Sequence, residues 1–180
     1  MNPLEIIKKH YNPQSIAYKI LINHSQAVAE KALKIAEKFD VDRQFIYEAA
    51  MLHDIGIFLT NTPKLDCHGK FPYIAHGYLG REILEKEGFP QHALVCERHT
   101  GVGITKEEII KNKLPLPQRD MLPISMEEKI IAYADKFFSK ESDGSVRVRT
   151  VEEIIKDLSR HGEEKVKIFR EWLNLFKGAD

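Results

Sequence analysis

Apolar residues recur at the three- and four-residue spacing of amphipathic helices along almost the whole 180-residue chain. Residues 16–39 carry such a stripe on one side, with Leu21 and Val28 among its members. A second stripe follows Asp42, a good N-cap, and extends to Leu59. Since a strand face requires a period of two residues, this spacing predicts an all-α fold.

Glycine and proline mark the ends of the next two predicted helices. Residues 75–87 are expected to form a helix that stops at Gly88, the usual residue at a helix C-terminus. Pro90 begins another helix, which is expected to run to about Arg98 or His99.

Three capping boxes mark the starts of later helices, because a Ser or Thr and a Glu three residues on bind each other's backbone amides. They are Thr105 with Glu108, Ser125 with Glu128, and Thr150 with Glu153. The second of these helices should reach Phe138, and the third should break near Gly162. Segments 60–74, 111–123 and 139–150 are expected loops; the last contains "SVRVRT", which alternates like a strand but is too short to count as one.

Charge and cysteine content narrow the class of protein. Lysine plus arginine equals aspartate plus glutamate at 27 each, so the formal net charge is zero. Nucleic-acid and membrane partners usually require a basic excess, and neither is expected here. The two cysteines form no disulfide framework, and neither a signal peptide nor a long apolar run is present. We therefore expect a soluble cytoplasmic protein, with no prediction of its oligomeric state.

The run "AAMLHDIGIF", residues 49–58, places a carboxylate in apolar surroundings. Burying Asp54 costs several kcal/mol unless a neighbouring group compensates its charge. The imidazole of His53 directly precedes it, on the apolar side of the second predicted helix. Asp54 therefore raises the question of which cation lies next to it.

Four other chemically active side chains also fall on apolar helix faces, judged by neighbours three and four positions away. They are His24, His76, His99 and Asp135. Each histidine taken alone is more simply explained as a hydrogen-bonded core residue. Together with His53 and Asp54, however, they would each need a separate partner, whereas one shared cation would serve them all. Spacing alone leaves both interpretations open.

The order of these residues resembles the HD-domain metal-dependent phosphohydrolases. The resemblance spans about residues 20–140 and rests on a series of segments in a fixed order. These are "NHSQAVAEKALKIA", "AAMLHDIG", "AHGYLGREIL", "ERHTG" and "KIIAYADKF". The histidine pattern is similar to that of the bacterial HD branch that hydrolyses diadenosine tetraphosphate, and more remotely to the HD-GYP phosphodiesterases.

The resemblance implies a bundle of about five core helices with additional terminal helices. Chain length and the lack of a clear boundary predict a single domain over residues 1–180. The resemblance puts its core at about 20–140, with a C-terminal helical extension at 141–180. It also implies metal ligation by His24, His53, Asp54 and Asp135, with His76 and His99 as the further histidines of two-metal branches. One or two divalent ions of Fe, Mn, Zn, Ni or Co suit such ligands, because calcium and magnesium prefer oxygen alone.

The activity implied is cleavage of a phosphoester or phosphoanhydride bond by metal-activated water, with Asp54 as the catalytic carboxylate. The expected substrate is a nucleotide or another small phosphorylated metabolite. Related enzymes often carry a lysine three residues after the HD pair, and this chain has Ile57 there. Arg98, Arg147 and Arg149 are the candidate phosphate ligands, since a planar guanidinium suits phosphate.

Two other functions stay open from the sequence. A non-catalytic module with the same fold would retain the metal for stability or sense a nucleotide. An iron-dependent HD oxygenase would share the helical scaffold and consume oxygen without releasing phosphate. The sequence does not decide among these functions, nor between one metal ion and two.

Overall fold

A computed structural model of the chain describes residues 1–178. This part of the chain contains nine α-helices and two short antiparallel hairpins, which confirms the expected all-α class. The helices are α1 (Pro3–His10), α2 (Ile16–Ala36), α3 (Arg43–Leu52), α4 (His76–Lys86), α5 (Pro90–Arg98), α6 (Lys106–Lys111), α7 (Met126–Lys136), α8 (Val151–Ser159) and α9 (Glu163–Leu175). The strands are β1 (Asn61–Thr62) with β2 (Cys67–His68), and β3 (Phe138–Lys140) with β4 (Val146–Val148).

The predicted helix starts are confirmed by their caps. The side chain of Asp42 accepts from the backbone amide of Phe45, and both halves of each capping box form at the starts of α6, α7 and α8. The predicted break near Gly162 is also present, where φ is +124° between α8 and α9. These local signals depend on residues within four positions, which is why the sequence predicts them well.

The predicted continuation of the second stripe to Leu59 is wrong. Helix α3 ends at Leu52, His53 caps it, and Ile55–Leu59 forms a 3-10 turn. A Cβ at Gly56 would lie only 2.2 Å from the carbonyl oxygen of His76, so the chain here approaches the start of α4 too closely for any side chain. The turn directs both His53 and Asp54 into the interior.

The segment 139–150 is likewise not the simple loop that was predicted. Ser139 pairs with Arg147 in the β3–β4 hairpin, and Gly144 makes the turn with φ of +84°. Three residues are too few for a strand on their own, but a local partner supplies the hydrogen bonds. This hairpin positions Lys140, which becomes important at the functional site.

Two hydrophobic clusters meet along α2. One joins α2 and α3 to α7 and α9, where Tyr133 stacks against Phe169 and contacts Phe176 at a tilt. The other joins the opposite side of α2 to α1, α4 and α5. The polar side chains described next lie between these clusters. In residues 1–178, none of the helices is both long and apolar enough to cross a bilayer.

Candidate metal centre

Five helices bring the six predicted ligand residues into one buried cluster. His24 lies in the middle of α2, His53 and Asp54 directly follow α3, His76 begins α4, His99 caps α5, and Asp135 lies in the last turns of α7. All are buried except the Asp135 side chain, which retains 11% exposure. Residues separated by as many as 111 positions therefore face one another.

Four of these residues form a first donor group. His24 Nε2 lies 3.0 Å from Asp135 Oδ1 and 3.4 Å from Asp54 Oδ2. His53 Nε2 lies 3.3 Å from the same Asp54 oxygen and 3.5 Å from Asp135 Oδ1. Two imidazole nitrogens and two carboxylate oxygens thus converge within 4.8 Å of one another, which is suitable for holding one ion.

Asp54 connects this first group to a second one. Its other oxygen, Oδ1, lies 3.3 Å from His76 Nε2 and 3.4 Å from His99 Nε2. The second group therefore consists of Asp54, His76 and His99. Because each Asp54 oxygen faces a different pair of histidines, this one carboxylate is able to serve two ions at once.

Backbone carbonyls determine which ring nitrogens face the centre with a lone pair. The Nδ1 atoms of His53, His76 and His99 lie 2.6, 2.7 and 2.7 Å from the carbonyl oxygens of Ala50, Tyr73 and Cys96. A carbonyl can only accept, so each Nδ1 donates its proton and a neutral ring presents an unprotonated Nε2. This is the usual orientation of histidines that bind a metal through Nε2.

These nitrogens face other acceptors, so the cluster favours positive charge among them. His76 Nε2 and His99 Nε2 lie 3.1 Å apart, and two unprotonated nitrogens at that distance repel each other. Three buried atoms, His53 Nε2 and both oxygens of Asp54, lack a hydrogen bond of good geometry. Such unsatisfied groups are costly unless a positive ion binds them, so the donor set fits a divalent metal.

Without an ion, the two carboxylates favour a proton on His53, and a metal would replace that proton. Burial lowers the pKa of His53, but the carboxylates of Asp54 and Asp135 outweigh burial and raise it to about 10. Burial lowers the pKa of His24 to about 4, assisted by Lys140. Burial also lowers the pKa of His99 to about 4, in spite of Asp54.

Two lysines that the sequence analysis missed lie against the carboxylates. Lys140 Nζ is 2.6 Å from Asp54 Oδ2, and Lys136 Nζ is 2.8 Å from Asp135 Oδ2. Burial would raise the pKa of each carboxyl, but Lys140 for Asp54 and Lys136 for Asp135 are the largest opposing influences, and both pKa values lie well below the ordinary range. The sequence offered one signal, because Ile57 occupies the position where related enzymes often carry a lysine. The position of Lys140 depends on the β3–β4 hairpin, and the spacing of residues along the chain did not predict that hairpin.

A cavity of about 600 Å³ opens beside Asp135 and Lys140. Two of the candidate phosphate ligands line it: Arg147, which donates to Glu153 at 2.9 Å, and Arg149, which donates to Asp157 at 3.1 Å. Lys64 and Lys136 line it as well, so cations outnumber acids on its wall.

Arg98 lies elsewhere. Although it neighbours His99 in sequence, its guanidinium donates to Glu128 Oε1 at 2.8 Å and is not on the cavity wall. The reason is that Arg98 and His99 are adjacent residues at a helix end, and adjacent residues on a helix point in different directions. Helix α5 thus directs His99 inward and Arg98 toward α7.

Comparison with known proteins adds a family and several relatives. The HD domain family matches residues 21–139. An uncharacterized protein of Methanocaldococcus jannaschii is 39% identical over 146 residues, covering 78% of this chain and 76% of its own length.

Two tRNA (cytidine(56)-2'-O)-methyltransferases are also similar to this chain. The one from Picrophilus torridus is 37% identical over 123 residues, and the one from Thermoplasma volcanium is 31% identical over 165 residues. They cover 68% and 89% of this chain. The chain spans only 32% and 44% of the length of these enzymes, respectively.

Among solved structures, the HD domain of the L. monocytogenes phosphodiesterase PgpH in complex with cyclic-di-AMP has a similar fold. The TM-score is 0.50 at 22% sequence identity, over 91% of this chain and 96% of that one. At this identity the likeness concerns the fold.

Proposed function

This chain belongs to the HD domain family, and from that premise we propose that it is a metal-dependent phosphohydrolase acting on a nucleotide or another small phosphorylated metabolite. The observation that carries the proposal is the pair of donor groups joined by Asp54. Four histidine nitrogens within 3.4 Å of one buried carboxylate exceed what a structural ion pair with Lys140 requires.

In this proposal, His24, His53, Asp54 and Asp135 hold one ion, and Asp54, His76 and His99 hold a second. The mixed nitrogen and oxygen donors favour Mn, Fe, Co, Ni or Zn over calcium or magnesium. When bound, such ions lower the pKa of water toward neutrality and polarise a phosphoryl oxygen. Asp54 is the catalytic carboxylate because both donor groups depend on it.

The lysines of the centre gain a new role once the carboxylates bind metal. Lys140 pairs with Asp54 Oδ2, the same oxygen that faces His24 and His53, whereas Lys136 pairs with Asp135 Oδ2 and the histidines face Asp135 Oδ1. The Lys140 ammonium would then be available for the phosphates of a substrate, and Lys136, Arg147 and Arg149 line the same cavity. Arg98 is left out of this set because it does not line the cavity.

The charge of the cavity wall narrows the range of candidate substrates, and the family relatives narrow it less strictly. The cationic cavity wall suits a molecule with more than one phosphate. The PgpH HD domain binds cyclic-di-AMP, and the histidine pattern resembles the HD branch acting on diadenosine tetraphosphate, so nucleotides with linked phosphates are the first substrates to test. We further propose that the chain forms one domain, since α9 packs in the same hydrophobic cluster as α2 and α7.

The experiment is a phosphate-release assay on the purified, metal-analysed protein. Nucleoside triphosphates, diadenosine tetraphosphate, cyclic dinucleotides and nucleoside monophosphates would be tested with added Mn²⁺ and with chelator. We expect release that disappears with chelator and in Asp54→Asn but persists in Asp40→Asn, an exposed carboxylate with no role at the centre. Saturable nucleotide binding without turnover under any added metal would instead identify a sensor module. Oxygen consumption without phosphate release would identify an oxygenase.

A further inference from the structure

A second cavity, of about 540 Å³, adjoins the one beside the metal centre. The two cavities share four wall residues: Tyr73, Lys136, Arg149 and Asp157. Lys136 also contacts Asp135, so the junction between the cavities lies next to the candidate ligands. A molecule whose phosphates occupy the first cavity would extend past this junction into the second.

The wall of the second cavity comes from two parts of the chain. Tyr73, the Thr100–Ile104 segment and Lys136 lie within the residues that the HD domain family matches, 21–139. Other wall residues, such as Ile154 on α8 and Lys165 on α9, lie beyond them. The C-terminal helices therefore complete a space that the matched region leaves open on one side. Specificity for a substrate commonly resides in such additions to a shared scaffold.

The basic side chains that the C-terminal helices bring to the second cavity pair with acids outside both donor groups. Lys165 Nζ lies 2.7 Å from Glu108 and donates to the carbonyl oxygen of Gly103 at 2.7 Å. Asp157 pairs with Arg149 at 3.1 Å and with Arg160 at 3.4 Å. None of these acids is a candidate metal ligand, so metal binding would not release their cations. A neutral group bound in this cavity would leave these ion pairs intact.

The remaining wall is mainly aliphatic with a polar edge. Its aliphatic members are Ile74, Val102, Ile104, Leu114, Ile154 and Leu158. Asn112 and Thr100 add an amide and a hydroxyl, which are able to donate to and accept from the edge of a ring. Apolar faces combined with a few polar groups are typical of sites for flat heterocycles, and the volume is within the range of small-ligand pockets.

We propose that the second cavity binds the nucleoside of a nucleotide whose phosphates lie in the first cavity, against Lys136 and Lys140. The inference rests on the proposed phosphohydrolase function and deepens it. It names the substrate class as nucleotides, in preference to phosphorylated sugars or inorganic polyphosphate. It also assigns the helices beyond residue 139 a direct part in binding.

Binding is measured by calorimetry with Mn²⁺ present, using adenylyl imidodiphosphate and inorganic tripolyphosphate as probes that differ in the nucleoside. The wild-type protein should bind the nucleotide about tenfold tighter or more, because the nucleoside buries apolar surface in the second cavity. Ile104→Trp fills that cavity from a half-buried wall position. We expect it to abolish the preference while leaving tripolyphosphate affinity within about twofold.

Leu114→Trp fills the cavity from a different part of the wall, so the test still applies if Ile104→Trp fails to fold. Ile110→Trp is the matched control, since Ile110 is 50% exposed on α6 and lines neither cavity. Three results would overturn the inference. They are equal affinities for the two probes in the wild-type protein, a nucleotide preference that survives both cavity variants, and no binding of either probe. A nucleotide preference without any turnover would leave the subsite standing while refuting the hydrolase. Turnover without a nucleotide preference would support the hydrolase and refute the nucleoside subsite.

Discussion

The ammonium group of Lys140 lies 2.6 Å from Oδ2 of Asp54, the same oxygen that faces His24 and His53. Lys140 comes from strand β3 and its side chain is only 11% exposed. A buried carboxylate is stabilised by such a partner, yet a divalent ion bound by His24 and His53 would take the same oxygen. Lys140 and the ion are therefore competitors for Asp54.

Replacing Lys140 by methionine should separate its stabilisation of Asp54 from its competition with the metal ion. In protein treated with chelator, Lys140→Met should lower the free energy of unfolding by on the order of 1 to 3 kcal/mol, because Asp54 loses a buried charge partner. The affinity for Mn²⁺ should rise, because the competitor is gone, while phosphate release falls for want of a phosphate ligand. Thermal unfolding and calorimetry measure the first two quantities. Lys111→Met, at an exposed position of α6, should change neither, and weaker Mn²⁺ binding by Lys140→Met would contradict the competition.

The number of bound ions should follow the two donor groups. Metal analysis after loading with Mn²⁺ and dialysis should give two ions per chain for the wild-type protein, one for His99→Ala, and fewer still for Asp54→Ala, since Asp54 belongs to both groups. His68→Ala, which changes an exposed histidine outside both groups, should retain the wild-type ratio. The same ratio in His99→Ala and the wild-type protein would exclude the second group as a site.

Stability without metal should be greatest near pH 6.5. The folded-state pKa of His53, about 10, exceeds its ordinary 6.5, so its contribution is present below pH 6.5 and is lost as the pH rises toward 10. The pKa values of His24 and His99, about 4, lie below 6.5, so their contribution is lost as the pH falls from 6.5 toward 4. Denaturant unfolding with chelator across this range measures the profile.

Bound Mn²⁺ should abolish the loss of stability between pH 6.5 and 10, because the ion would replace the proton of His53. The exposed His68 provides the comparison: His68→Gln should keep the shape of the wild-type curve. A metal-free protein that becomes steadily more stable from pH 6.5 to 9 would refute the assignment of a raised pKa to His53.

Gly56→Ala should disturb the centre without altering any ligand. The new Cβ would lie 2.2 Å from the His76 carbonyl oxygen and 2.5 Å from the Gly80 amide, so backbone has to move. We expect a loss of about 1 to 3 kcal/mol in stability and weaker Mn²⁺ binding, since the start of α4 carries His76. Gly80→Ala is the milder control, because its Cβ meets the Cys96 side chain at 3.2 Å. Equal unfolding midpoints for the two variants would show that the close approach at Gly56 is not required.

The amino-acid sequence by itself determined the helical class, the capped starts of α6, α7 and α8, and the positions of His24, His53, His76, His99 and Asp135 on inward-facing sides. These features depend on periodicity and on contacts within four residues, so the local sequence determines them. The hairpin within residues 139–150 was not predicted, and the end of α3 was predicted wrongly. It depends on the approach of Gly56 to α4, and α4 begins 20 residues further along the chain.

Only the tertiary structure decided how the six side chains divide into two groups around Asp54. It also revealed Lys140 on the same carboxylate, directed Arg98 toward Glu128, and formed a second cavity between the family-matched region and α8 and α9. Each of these facts is a distance between residues far apart in the chain. Such distances are determined by how helices pack and where short strands pair, and no spacing along a single helix encodes them.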